Sequence, residues 1–207
     1  MKRHKICKIC KMLKHKCKKC RRQGSKLFLK GERCLTSKCA VARKPYVPGS
    51  APKSGGRRKA VSEYSTKLKE NQKNKFGYAL RGTQYKNYMK EAMEKAGGGD
   101  VKNKLFEILE SRLDNVVFRM GFAPSRFAAK QMVGHGHITV NDRKTDIPSR
   151  RIKIGDKIAI RSQSADRGIF KDLDIKLKKQ EAPAWIKMDK DKKEGIIVGA
   201  PLHGDVA

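Results

Sequence analysis

Cysteine is the residue type whose spacing in this chain most directly implies chemistry. Cys17-x2-Cys20 is followed, thirteen residues later, by Cys34-x4-Cys39. Two short segments that each offer two sulfurs across such a gap have the spacing of a zinc ribbon or knuckle, where the tetrahedron closes between the pairs. The alternative for the same residues is a set of reduced structural thiols. Cys7-x2-Cys10 adds a third pair. Six sulfurs make one four-sulfur site with two left over. Cys7 and Cys10 either exchange with Cys17 and Cys20 or join His4 or His15 in a second site. The preferred ligand set is Cys17, Cys20, Cys34 and Cys39 around a single Zn2+.

The thiols sit in a strongly cationic stretch. Residues 17–39 contain eight Lys or Arg residues and one acid. A zinc ion with four thiolates has a formal charge of −2. Lys18, Lys19, Arg21, Arg22, Arg33 and Lys38 are expected to lower the thiol pKa values and offset that charge. A metal would brace a segment too small to build a core, while its surface stays basic. Between the cysteine pairs, Lys26–Lys30 reads as a short strand bracketed by the turn residues Gly24 and Gly31.

The charge extends well beyond the cysteines. The 207 residues hold 51 Lys+Arg against 20 Asp+Glu, a net charge of +31. Such self-repulsion points to a polyanionic partner, with nucleic acid first and an anionic membrane surface second. Residues 1–60 carry 21 basic residues and one acid, whereas residues 162–207 carry nine basic and eight acidic residues. The first segment therefore reads as polyanion-facing and the last as protein-facing. No run of about 18 apolar residues is present, so no transmembrane helix is expected. MKRHKICKIC lacks the apolar stretch of a secretory signal, and closely spaced cysteines without one point to a reducing compartment.

The elements that must position these groups follow from periodicity. Residues 45–60, PYVPGSAPKSGGRRKA, read as an extended connector whose Arg57-Arg58-Lys59 cluster suits phosphates. Ser62 caps a helix over about 63–75, and Thr83 a second, with Tyr85, Tyr88, Met89, Ala92, Met93 and Ala96 on one stripe. Gly97-Gly98-Gly99 ends it. Leu105, Leu109, Leu113, Val116 and Met120 recur at helical intervals up to Gly121. Ser125 caps a further helix that ends at Gly134 and Gly136. The period then changes to two. Ile138 and Val140 alternate, Asn141-Asp142 turns, and Ile152, Ile154, Ile158 and Ile160 continue around Gly155-Asp156. Two helices followed by a small curled sheet are expected. Arg112, Arg119, Arg126 and Lys130 fall outside the apolar stripes, and His135 and His137 flank the helix-to-strand corner. A helix N-terminus with arginines beside a basic strand edge fits a phosphate backbone. No nucleophile elbow, phosphate loop or dinucleotide fingerprint occurs, and no carboxylate pair stands out, so no enzyme and no catalytic residue is expected.

LESRLDNVVFRMGFAPSRFAAKQMVGHGHITVNDRK, with the later RIKIGDKI, resembles the RNA-binding module named for ribosomal small-subunit protein four. CKKCRRQGSKLFLKGERC, PYVPG, SEYSTKLKENQKNKFGY, TQYKNYMKEAME and APAWIKMDKDKKEGIIVGAPLHGD resemble the remainder of the zinc-bearing bacterial form of that family. Departures are the extra Cys7-x2-Cys10, about eight additional N-terminal residues, His203 where Arg is common, and an end at Ala207 before the family's usual last strand.

The resemblance implies an α+β protein. A mainly helical lobe with a zinc-stapled N-terminus stands beside a helix-helix-curled-sheet RNA-binding module. It implies a basic zinc segment at 1–44, a connector at 45–60, a helical domain at 61–99 completed by the tail 162–207, and the module at 100–161. It implies a structural component of the small ribosomal subunit, in the cytoplasm. Such a protein binds the five-prime domain of small-subunit ribosomal RNA, nucleates assembly of the subunit body, supports translational accuracy and touches neighbouring ribosomal proteins. Its own message is a further candidate partner; a small-molecule substrate is not. RNA contacts would come from Arg21, Arg22, Arg57, Arg58, Lys59, Arg112, Arg119, Arg126, Lys130, His135, His137 and Asn141. The competing readings are a non-ribosomal regulatory RNA-binding protein and a zinc-ribbon nucleic-acid-binding protein.

Overall fold

A computed structural model of the chain describes residues 15–49, 62–165, 168, 170, 173–179 and 181–202. His4, Cys7, Cys10, the Arg57-Arg58-Lys59 cluster and His203 lie outside the described residues. The chain divides into two compact units, Met1–Gly82 and Thr83–Ala207.

In the first unit, helix α1 (Lys16–Gln23) places Cys17 and Cys20 one turn apart and ends at Gly24, whose left-handed φ of 70° suits glycine. The strand expected over Lys26–Lys30 does not form. Phe28 takes a left-handed φ of 47°, and a 3-10 turn, Gly31–Cys34, follows. The reason is the absence of a partner: no strand is described in this unit, and a single strand has no ladder to satisfy its backbone. Cys39 opens the short helix α2 (Ala40–Arg43). Helix α3 (Glu63–Gly77) starts where Ser62 indicates, with the Ser65 amide donating to Ser62 Oγ at 3.3 Å. The apolar residues buried here, among those described, are Cys20, Leu29, Cys34, Cys39, Ala79 and Leu80. Among the described residues of this unit that is a small buried set.

The second unit opens in helix α4 (Gly82–Ala96), in which Thr83 lies in the first turn rather than at the cap. Gly97 and Gly98, at φ 50° and 93°, end it. Asp100 caps helix α5 (Val101–Glu110) by accepting from the Lys102 and Asn103 amides. The helix expected to run on to Gly121 is broken at Ser111–Arg112 and resumes as α6 (Leu113–Arg119). A neighbouring segment competes for the backbone there. The Leu113 amide donates to Arg150 O, the Ile152 amide donates to Ser111 O, and Arg112 bridges Arg151. Ser125 Oγ accepts from the Ala128 amide and caps α7 (Arg126–Gly134).

Strands β1 (Ile138–Val140), β2 (Arg143–Thr145) and β3 (Lys157–Ile160) form the antiparallel sheet that the change of period indicates. Asn141 and Asp142 turn it with φ 51° and 61°, the geometry of a tight hairpin. After short helices α8 (Ser162–Ala165) and α9 (Leu173–Lys179), the hairpin β4 (Ile186–Asp189) and β5 (Glu194–Ile197) adds to the same sheet, in the order β2-β1-β3-β5-β4. The tail was expected to complete 61–99. Its strands instead extend the sheet of the 100–161 module, pairing Ile158 with Gly195. Phe170, Leu173, Leu177, Trp185, Ile186 and Ile197 join Leu113, Val116, Val117, Met120, Val133, Ile138 and Ile158 in one core. β3 has an edge to cover, and the tail supplies both backbone partners and apolar side chains. Helices with a small antiparallel sheet make the fold α+β.

Candidate nucleic-acid interface and thiol cluster

The fold brings the four expected ligands together. Cys17 and Cys20 on α1, Cys34 on the 3-10 turn and Cys39 at the start of α2 line one cavity of about 20 Å³. Cys20, Cys34 and Cys39 are buried, and Cys17 is half-buried. None is in a disulfide. Among the described residues, however, no three His, Cys, Asp or Glu side chains stand as a ready metal-ligating group. The donor set fits a thiolate metal site in kind and in neighbourhood.

Cys20 and Cys39 are shifted in opposite directions. Burial, reinforced by neighbouring Cys34, pushes the Cys20 thiol above its ordinary value. Burial also opposes the Cys39 thiolate, but amides of Val41 and Ala42 at the start of α2 outweigh it, with Lys26 assisting, and the Cys39 thiol lies below its ordinary value. Fixed backbone donors, not the mobile cations named from sequence, make the difference.

Around this cluster lies an exposed cationic surface: Lys18, Arg22, Lys26, Lys30, Arg33, Lys38, Arg43 and Lys44. Arg21 has another task. Its Nε donates to Lys44 O and Tyr46 O, both at 3.0 Å, and its guanidinium lies 4.6 Å from the Tyr46 ring centre. It pins the segment leaving α2. Phe28, half-exposed, offers an aromatic face amid these charges.

In the second unit the expected RNA-facing residues separate into three groups. Arg112, Lys130 and His137 are buried rather than on a polar face. Arg112 forks Asp114 through Nε at 3.0 Å and Nη2 at 2.6 Å, while Nη1 donates to the Tyr88 hydroxyl at 2.5 Å. Burial opposes its charge, but Asp114 raises its pKa regardless. His137 Nδ1 lies 3.0 Å from Ser164 Oγ, and its ring meets Phe170 edge-on. Asn141 is a corner residue. Its Nδ2 donates to Asp156 Oδ1 at 2.8 Å and its Oδ1 accepts from the Lys157 amide at 2.9 Å.

Arg119 and Arg126 form the second group, partly exposed and gathered around buried Glu110. The third group, His135 and Asn141, is at the surface. Sequence reasoning missed Glu110 and Asn115, which organise those arginines, and exposed Arg143, Lys144 and Lys153. Strand alternation carried no signal for the exposure of Arg143, which pairs directly opposite buried Val140. Glu110 carried none, because a helical Glu among charges usually reads as solvated.

Residues 3–110 match the family described as ribosomal protein S4/S9 N-terminal domain, and residues 111–158 match the S4 domain family. Among curated proteins, the chain is 42% identical over 190 residues to small ribosomal subunit protein uS4 of Heliobacterium modesticaldum, covering 92% of this chain and 89% of that protein. It is 43% identical to the uS4 of Thermotoga petrophila over 190 residues, covering 92% and 88%. It is 42% identical to that of Clostridioides difficile over the same length, covering 92% and 89%.

Proposed function

Because the chain belongs to the small ribosomal subunit protein uS4 family, we propose that it is a structural protein of the small ribosomal subunit that grips folded ribosomal RNA by its backbone. The family is one of ribosomal proteins, not of enzymes. The subunit places the protein on the ribosome in the cytoplasm, beside other small-subunit proteins. No described helix is long and apolar enough to cross a membrane.

The observation that carries the RNA reading is the distribution of cations. The first unit surrounds its thiol cluster with exposed Lys and Arg, and the second presents Arg119 at the end of α6, Arg126 and His135 at the start and end of α7, and Arg143 and Lys144 on β2. Lys and Arg at helix termini and strand edges suit phosphates and riboses, so recognition would be of RNA shape more than of base sequence. The target in this reading is the five-prime domain of small-subunit ribosomal RNA, where binding nucleates the subunit body and later supports accuracy. Binding of the protein's own message is a further part of the proposal.

One Zn2+ on Cys17, Cys20, Cys34 and Cys39 belongs to the same proposal. Support comes from the shared cavity, the smallness of the first unit's buried set and the amide-stabilised Cys39 sulfur. When bound, the ion would tie α1, the 3-10 turn and α2 together. The chain's own cations would offset the negative charge of the ligated sulfurs.

The test is competition between a five-prime-domain transcript and duplex DNA of equal length for the full chain, at two salt concentrations. RNA is expected to win. Its affinity is expected to fall about a thousandfold between roughly 50 and 200 mM salt for about six neutralised phosphates. Equal binding of DNA, or an RNA affinity nearly independent of salt, would sink the reading.

A further inference from the structure

Glu110 ends α5 with its side chain wholly out of solvent, in a chain of net charge +31. A buried carboxylate is costly unless it is paired and hydrogen-bonded. Here it is both. Oε2 accepts from Asn115 Nδ2 at 2.6 Å and from Arg119 Nε at 2.9 Å, and Oε1 accepts from Arg119 Nη2 at 3.1 Å. Arg126 Nη2 lies 3.8 Å from Oε1. Asn115 closes the group by accepting from Arg126 Nε at 2.6 Å, and the Arg126 guanidinium lies 4.7 Å from the Phe118 ring centre. Residues from the end of α5, from α6 and from the start of α7 thus meet around one carboxylate.

Two features separate this cluster from an ordinary structural ion pair such as Arg112–Asp114. Two guanidinium groups gather at one carboxylate, Arg119 through a fork and Arg126 through Nη2 at 3.8 Å. Both side chains also reach solvent, at 16% and 22% exposed for Arg119 and Arg126, against 1% for Arg112. A buried anion that fixes two guanidinium groups at the protein surface, one forked onto it through Nε and Nη2 and the other held through Asn115, presets both cations for an external anion. Neither arginine has to be ordered when the ligand arrives.

Resting on the ribosomal RNA reading above, we propose that Glu110 is a positioning residue that holds Arg119 and Arg126 as one preformed clamp for an RNA phosphate. The cluster makes a prediction opposite in sign to simple charge counting. Glu110→Gln removes an anion from a cationic face, so charge alone would tighten RNA binding. Loss of positioning would weaken it.

The experiment measures the Kd of the full chain for a five-prime-domain transcript across a salt series. Fluorescence of Trp185 and thermal unfolding serve as controls for folding. Glu110→Gln is expected to weaken binding about tenfold and to reduce the salt slope by about one, the equivalent of one lost phosphate contact. Unchanged or tighter binding by folded Glu110→Gln protein overturns the clamp. If that variant does not fold, Arg119→Lys preserves charge and removes the fork. The same loss of slope is expected, and unaltered affinity overturns the proposal. A wild-type chain that ignores the transcript sinks the RNA reading itself, whereas wild-type binding with unimpaired variants sinks only the clamp.

Discussion

Arginines at three neighbouring positions have different fates, and geometry decides each. Arg112 is buried and spends its donors on Asp114 and Tyr88; Arg119 and Arg126 share Glu110 at the surface. Removing a buried partner strands a charge. Arg112→Ala should therefore cost about 3–5 kcal/mol in unfolding free energy, followed through Trp185, the chain's single tryptophan. Adding Asp114→Ala should recover part of that loss, and a double variant less stable than the single one would contradict the pairing. A second residue-scale prediction concerns pH. Hydrogen bonds from Arg151, then Lys95, hold the Glu91 carboxyl at about 2 rather than 4.5. A depressed carboxylate stabilises the fold above its unfolded value and loses that contribution as pH falls toward its folded value. The stability difference between wild type and Glu91→Gln should therefore be constant above about pH 5 and shrink between 4.5 and 2. Arg151 and Glu91 are partly exposed, so solvent screening limits the difference to about 1 kcal/mol. A difference independent of pH would contradict it.

At the scale of elements, the sheet is the decisive feature. β4 and β5 continue the module's sheet because β3 offers an edge and because Gly195 lets β5 pass close beneath Met120. A Cβ at Gly195 would stand 2.6 Å from Met120 Cε and 2.9 Å from Met188 Sδ. Gly195→Val should cost about 1–3 kcal/mol by overpacking. Gly195→Ala should cost less, because both neighbours are flexible ends of methionine side chains. Equal stability of all three proteins, by denaturant titration, would mean that the tail does not pack as described. The break between α5 and α6 teaches a related lesson. Its apolar spacing is helical throughout, yet backbone groups of residues 150–152 claim the amides and carbonyls there. Periodicity records which faces are buried, not which partner completes each hydrogen bond.

For the molecule as a whole, the two units are held by different means. The second has an extensive apolar core, whereas the first, among its described residues, buries few apolar groups, and three of them are cysteines. Chelation of the full chain should therefore speed amide hydrogen exchange over residues 16–43 and leave the Trp185 signal unchanged. Added Zn2+ should restore protection. Exchange indifferent to the chelator would count against the metal proposal.

Composition and spacing alone determined a great deal: a cationic chain with a cysteine quartet, helices capped at Ser62 and Ser125, a turn at Asn141-Asp142 and a shift from helical to strand period. These are local properties, set by side-chain chemistry and by backbone preferences within a few residues. Tertiary structure alone decided which arginines face solvent, that Lys26–Lys30 stays out of a strand, that Asn141 braces a corner and that the tail joins the sheet. Each of those outcomes depends on whether a partner elsewhere in the chain is present or absent. Burial and hydrogen bonding reward such pairs only once the backbone has brought them together, so no window of neighbouring residues contains them.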